Sequence, residues 1–231
     1  MILYNDQNFP EIYRQMKDEK EKVDYYLNKI EKESLRYIAK TPAPCYSFQK
    51  ITMPKTGNTY LLYYYCLTEN ERRHGSAFFG NLLLLNDDQG RRVVIRLMKT
   101  EERSQYSSRK LDSLHIFTGH FFSRYRERFF SDKDATTDDI VVSFAGRNLG
   151  YLHQLKYEEF VKEKDRRDNG AAWIIEDGVS VGASEMIHVN DKPLWIAMHK
   201  TYLSPAELKD DQMNSIIPKE VLHEMLTHHF K

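Results

Sequence analysis

The stretch Thr59 to Leu67, TYLLYYYCL, constrains the fold more than any other part of the chain. Aromatic residues of this kind favour extended backbone. Tyr60, Leu62, Tyr64 and Cys66 alternate with Leu61, Tyr63, Tyr65 and Leu67, so both faces of the strand are largely apolar. Such a strand has to be covered on both sides, which calls for layers packed above and below a sheet. A run of tyrosines could also stack nucleic-acid bases. Core packing, with the hydroxyls reaching the edges, is the use that strand chemistry favours.

The neighbouring segments supply the rest of a sheet. Tyr46 to Met53 precedes this strand across PKTGN, whose glycine and proline are turn chemistry, and the two strands predict a hairpin. Phe78 to Leu85 and Arg92 to Met98 repeat the pattern around NDDQG, and Leu114 to Phe117 can add a short strand. Later, Ala171 to Glu176 and Val179 to His188 flank Asp177-Gly178, a strong hairpin signal. Asn190 to Pro193 then turn the chain into Leu194 to Tyr202, completing a three-stranded antiparallel meander.

Helical patterns fill the intervals. Asn8 can cap and Pro10 can begin a long N-terminal helix that meets no further glycine or proline before Pro42. Ile12, Met16, Val23, Leu27, Ile30 and Tyr37 mark its apolar side, and KDEKEK interrupts them. The helix either leaves the body of the protein there or covers it weakly. A central helix is expected over Thr118–Phe130, and Thr137 can cap another that runs through Phe144 to a glycine-containing corner at Gly146. Tyr151 to Lys164 predicts an amphipathic helix, Ser204-Pro205-Ala206-Glu207 a capping box leading a helix to about Asn214, and Pro218 the start of a final helix. Lys99 to Ser113 is polar and reads as a loop or linker. It would divide the chain into 1–98 and 114–231, unless the two form one continuous domain. The expected class is α+β: a mostly antiparallel sheet system, two hairpins plus a meander, with packed helices and a long N-terminal helix.

Composition narrows the function. The 34 basic and 34 acidic side chains cancel, which argues against indiscriminate binding to long nucleic acids but leaves room for a small basic pocket. Cys45 and Cys66 fall in strands that pair as a hairpin and are expected to stay as buried thiols. The opening residues MILYNDQNFPEIY lack a basic segment followed by an apolar run, and no apolar stretch is long enough to cross a bilayer. The expectation is a soluble protein of the bacterial cytoplasm without membrane contact.

Established motifs are missed narrowly or altogether. His223, Glu224 and His228 resemble the zinc-protease helix, but the second histidine arrives one residue late to share a metal with the first. No cysteine cluster, Walker loop or dinucleotide fingerprint is present, GRNLG matches no phosphate loop, and Ser107, Ser108 and Ser143 lack the surroundings of a nucleophile elbow. No metal and no cofactor is expected.

The chemically loaded stretch is LHIFTGHFFSRYRERFF, from Leu114 to Phe130. On a helix, His120, Arg124 and Arg128 recur every four residues along one face, with Glu127 beside them, while Phe121, Tyr125 and Phe129 line the neighbouring face. A row of one imidazole and two guanidiniums suits a phosphate, since each guanidinium offers a rigid fork of donors and histidine exchanges protons near neutral pH. Arg96, among apolar neighbours, either snorkels from a strand or adds to phosphate binding. Metal-independent RNA cleavage needs a base, an acid and cations for the scissile phosphate. His120, Arg124, Arg128, Glu185 and His199 could supply these, with His115 and Thr201 as companions. The expected function is therefore phosphate handling, as RNA cleavage or nucleotide binding, with RNA or a small phosphate-bearing ligand as partner. The alternative is a protein–protein interaction module that uses the N-terminal helix, its basic central helix serving as a surface ion-pair network. A concave setting for the row favours chemistry, and pairing with Glu127, Asp132 or Asp134 on a convex face favours the module.

Overall fold

Cys45–Thr52 (β1) and Thr59–Cys66 (β2) pair antiparallel from Cys45↔Cys66 to Thr52↔Thr59. The computed structural model describes residues 4, 5, 8–103, 108–130, 134–148, 153–163, 166–209 and 212. After Thr59 every residue of β2 is buried. Tyr60, Leu62, Tyr64 and Cys66 enter one core, and Leu61, Tyr63 and Tyr65 enter another on the opposite face. The two-faced apolar strand is thus covered twice, as its alternation requires. Cys45 and Cys66 face each other as buried free thiols, and burial pushes both thiol pKa values up.

The first core lies beneath Phe9–Asp18 (α1) and Lys20–Lys40 (α2). The acidic and basic stretch between their apolar turns does not leave the sheet. Glu19 interrupts the helix, and its carboxylate accepts hydrogen bonds from Tyr60 at 2.6 Å, from Asn58 at 3.1 Å and from the Thr56 hydroxyl. Met16 and Val23 on either side are buried. One charged side chain therefore pins the helix pair to the first hairpin, in a position where hydrophobic periodicity shows only a gap.

Thr68 caps the short Glu69–Arg73 helix (α3), which sequence patterning misses, and Phe78–Asn86 (β3) follows. Lys99 to Ser113, expected as a loop, instead carries the end of Arg92–Arg103 (β4) and the start of Ser108–Phe117 (β5), paired antiparallel from Val94↔Phe117 to Arg103↔Ser108. Polar composition concealed this extension, because strand patterning relies on an apolar face and KTEERSQYSSRKLDS offers little of one.

Gly119–Phe129 (α4) and Thr137–Asn148 (α5) cover the second core. His153–Leu155 (β6) and a 3-10 turn at Tyr157–Glu159 stand where an amphipathic helix was expected. Leu155, Tyr157 and Phe160 pack with Ala172, Val179 and Val181, so their apolar side is satisfied at a sheet edge without a helix. Gly170–Ile175 (β7), Gly178–Val189 (β8) and Lys192–Leu203 (β9) form the meander. Asn190 and Asp191, at φ 51° and 61°, make its second turn. Ser204 and Glu207 form the expected capping box over a 3-10 turn of Pro205–Glu207, and most of the helix expected to run on to Asn214 lies outside the described residues. The helix expected from Pro218 lies outside the described residues.

All nine strands among the described residues belong to one sheet in the order β1-β2-β3-β4-β5-β9-β8-β7-β6. Every neighbouring pair is antiparallel except β5 with β9. The strands of both sequence halves thus share a sheet through that parallel pair. Among the described residues, no helix is long and apolar enough to cross a membrane.

The Glu19 anchor gives a direct test of this architecture. Glu19→Ala is expected to lower the unfolding free energy by about 2–3 kcal/mol, the scale of lost hydrogen bonds to a charged group. Glu21→Ala, two positions on and exposed, should change it by less than about 0.5 kcal/mol. Urea denaturation of the two variants measures the difference.

Candidate functional site

The Thr118 hydroxyl accepts the Phe121 amide proton and so starts α4 one residue after β5 ends. The helix is held by its aromatic face: Phe121 and Tyr125 are fully buried against Phe117, Phe144 and Tyr202. The opposite side carries the expected basic row, whose members differ in setting. His120 is exposed. Arg124 forms an exposed ion pair with Glu127 at 2.7 Å, the arrangement expected of a surface network. Arg128 is the most enclosed, donating to the Tyr202 carbonyl oxygen and lying 3.2 Å from Glu207.

Arg128 opens onto a cleft of about 940 Å³ at the C-terminal end of α4. Tyr46, Tyr65 and Phe129 supply aromatic wall, and Arg147, from the last turn of α5, supplies a second guanidinium. Arg147 lies 4.9 Å from the centre of the Phe129 ring, a cation–π contact. Its Nε and Nη2 donate to Asp177 at 2.7 and 2.6 Å, and this bond holds the guanidinium pKa up.

Asp177 is the hub behind the cleft. Its side chain is fully buried, and besides Arg147 it accepts from Tyr125 at 2.5 Å and from Asn148 at 2.8 Å. The Tyr202 hydroxyl donates to its carbonyl oxygen at 2.5 Å. Burial raises the pKa of both tyrosines, with Asp177 the next cause, so the two remain neutral donors. Gly178 beside it is required by contact: a Cβ there would lie 2.3 Å from the Leu203 carbonyl oxygen.

Neither Arg147 nor Asp177 stands out as a site residue in the sequence. Asp177-Gly178 reads as turn chemistry, and the two-residue turn is in fact Glu176-Asp177, with Ile175 paired to Gly178. The partners of the Asp177 carboxylate lie 29 to 52 residues away, beyond any local pattern.

The remaining candidates fall in different places. Ser180, His199 and His115 form a buried chain across three strands: His199 Nδ1 is 2.8 Å from the Ser180 hydroxyl and its Nε2 is 3.2 Å from His115 Nδ1. His199 also stacks on Phe117, with ring centres 4.1 Å apart. A register shift in β8–β9 between Val181 and Gly182 leaves Lys200 unpaired. Consequently His199 and Tyr202, three residues apart, both contact Phe121 of α4. Arg96 is half-buried on the same sheet face, paired in register with His115 and hydrogen-bonded to Tyr63. Glu185 is exposed and pairs with Ile196, a residue of the core under α1 and α2, which puts it on the opposite face from α4. Thr201 pairs with Val181 and faces away from Tyr202. The structure therefore brings Arg96, His115 and His199 together, sets Arg128 beside Arg147, and separates Glu185 from all of them.

A second cleft of about 680 Å³ lies on the other flank of α4, lined by Arg91, Arg92 and Arg126 with Ser123 and Thr137. Two of its cations are matched, Arg91 by Asp87 at 2.8 Å and Arg92 by Asp138 at 3.4 Å. Among the described residues, no group of three or more His, Cys, Asp or Glu is placed to hold a metal ion. No family model, curated protein or solved structure matches the chain.

The buried imidazoles make stability depend on acid. Burial and then the charge of Arg96 lower the His115 pKa to about 4, and burial followed by His115 drives that of His199 well below its usual value. The unfolded chain, titrating near 6.5, takes up these protons first, so stability is complete above about pH 6.5 and falls towards pH 4. The loss should approach about 1.4 kcal/mol per pH unit for each histidine. Urea midpoints measured from pH 7 to 4.5 should show this slope, and His115→Gln should reduce it by about one proton's worth.

Proposed function

We propose that the cleft between α4, α5 and the first hairpin binds a nucleotide, its phosphate held by Arg128 and Arg147 and its base set against Tyr46 and Tyr65. One observation carries this reading: two guanidiniums from different helices converge on a concave surface with aromatic walls. A ligand that joins a phosphate to a planar ring uses both features, as charge-assisted forks bind phosphate and rings pack against a base.

The nearby carboxylates do not defeat it. Asp177 is buried and saturated, and it engages one edge of Arg147 while that side chain keeps roughly half its exposure. Glu207 competes for Arg128, but that pair is partly open to solvent, and such pairs are worth about 0–1 kcal/mol. A charge-assisted hydrogen bond to phosphate contributes about 1.5–3 kcal/mol, so the ligand wins the exchange.

RNA cleavage is the more demanding form of the same proposal. It would use His120, the exposed imidazole one helical row from Arg124 and Arg128, as the proton-transfer group. A cytoplasmic setting, where nucleotides and RNA are abundant, belongs to the proposal as well. The interaction-module reading draws on a separate observation, the Arg124–Glu127 pair together with Tyr25 and Tyr37 exposed on α2.

Calorimetric titration with adenosine monophosphate at low salt tests the binding reading. Arg128→Ala should weaken binding about tenfold, the equivalent of roughly 1.4 kcal/mol. Glu207→Gln keeps the capping box and removes the competing charge, so it should tighten binding about twofold to threefold. Wild-type protein that shows no heat of binding would sink the proposal and favour the interaction module. Incubation with mixed-sequence RNA without divalent metal tests cleavage: loss of cutting in His120→Ala with RNA binding retained assigns proton transfer to that imidazole.

A further inference from the structure

The aromatic wall of the cleft does not end at Tyr65. Tyr46, Tyr65 and Phe78 are directly paired across β1, β2 and β3, and their rings lie near parallel. Ring centres are 6.4 Å apart with an interplanar angle of 26° for the first pair, and 5.2 Å apart at 22° for the second. Tyr65 is 7% exposed, whereas Phe78 is 51% exposed. The column is therefore closed over its middle and open at the Phe78 end.

A fork in the sheet creates that opening. β3 and β4 pair only from Leu83↔Ile95 to Asn86↔Arg92. Beyond this, β2 stays paired with β3 as far as Phe78, and β5 stays paired with β4 as far as Arg103. On the α4 side of the fork stands Arg96. Its partner Tyr63 reaches it past Gly80, where an added Cβ would lie 2.3 Å from the tyrosine hydroxyl. Phe78 and Arg96 thus stand on the α4 side of the sheet, and Tyr65, stacked on Phe78, joins the ring column to the cleft that holds Arg128 and Arg147.

We infer that this fork is a second nucleotide subsite, so that the ligand is a short single-stranded oligonucleotide whose second base extends the ring column at Phe78 and whose linking phosphate faces Arg96. The inference rests on the nucleotide reading of the cleft. Base-on-aromatic stacking tolerates any base and requires it to be unpaired, which fits an open-ended ring better than duplex nucleic acid. Phe79 provides an internal control. It is adjacent, 63% exposed and stacked on Tyr64, on the other face of the sheet.

The test compares adenosine monophosphate with the 5′-phosphorylated adenine dinucleotide, in ribo and deoxyribo forms, by calorimetry on the full chain. The dinucleotide should bind about tenfold more tightly, within the contribution of one stacked base. Phe78→Ala should bring the dinucleotide down to the affinity of the mononucleotide, Phe78→Trp should keep the gain, and Phe79→Ala should leave it intact. Stacking and phosphate contact are common to both sugars, so a gain in either form supports the subsite. A dinucleotide that binds no better than the mononucleotide in both forms overturns it and leaves the cleft reading in place. Equal losses from Phe78→Ala and Phe79→Ala also overturn it, as they would report general adhesion to apolar surface. If neither ligand binds, the cleft reading and the subsite fall together.

Discussion

The buried carboxylate of Asp177 is the constraint on which this end of the molecule depends. A carboxylate removed from water is tolerable only when its oxygens are filled by good donors. Here they come from α4 through Tyr125 and from α5 through Arg147 and Asn148, while Tyr202 of β9 binds the backbone of the same residue. The partners lie on three elements, so satisfying one residue fixes the two helices relative to the meander. The cleft is a by-product of this arrangement. Arg147 has to reach inward to neutralise Asp177, and in doing so it lays its guanidinium over Phe129 and leaves the rest of the group at the cleft surface.

The two cores then have different tasks. The core under α1 and α2 is rich in aliphatic residues and tyrosines, with Glu19 and Asp112 as charged anchors for the helices. The core under α4 and α5 is dense in aromatic rings that meet edge to face around Phe117, Phe121 and Phe144. Such pairs contribute about 0.5–1.5 kcal/mol each beyond area burial and prefer particular angles. That preference gives the α4 layer a definite orientation. The proposed phosphate contact would draw on such rigidity, because a fork of donors gains its advantage only when its direction is set in advance.

How much of this was legible depended on whether the signal was local. The two-faced strand Tyr60 to Cys66, the Thr118 start of α4 and the paired turns of the meander follow from alternation, capping and turn chemistry, which a short window contains. The outer half of the β4–β5 hairpin did not, because its sequence is almost wholly polar and has the composition of a loop. Glu19 looked like one charge among six, since its partners Asn58 and Tyr60 come from a hairpin about forty residues away. The register shift at Gly182 was equally hidden. Strict alternation sends His199 and Tyr202 to opposite faces, and only the unpaired Lys200 turns both towards α4. Of the site, Arg128 and Arg96 were visible as basic residues in apolar surroundings, while Arg147 and Asp177 became partners only through the fold.

The burial of the histidines changes which chemistry the site can host. A general acid or base has to reach the proton it moves, and its pKa must lie near working pH. His199 has no exposed surface, and its pKa is driven well down by the same burial that lets it bridge Ser180 and His115. Its geometry serves the junction of β5, β8 and β9. Glu185 is on the far side of the sheet. Of the proton-transfer groups proposed from the sequence, His120 alone is exposed on α4, the helix that carries Arg124 and Arg128. Two guanidiniums beside aromatic walls can bind a nucleotide without moving a proton, so the binding reading asks less of this arrangement than cleavage does. Cleavage would require a second proton-transfer group beside His120.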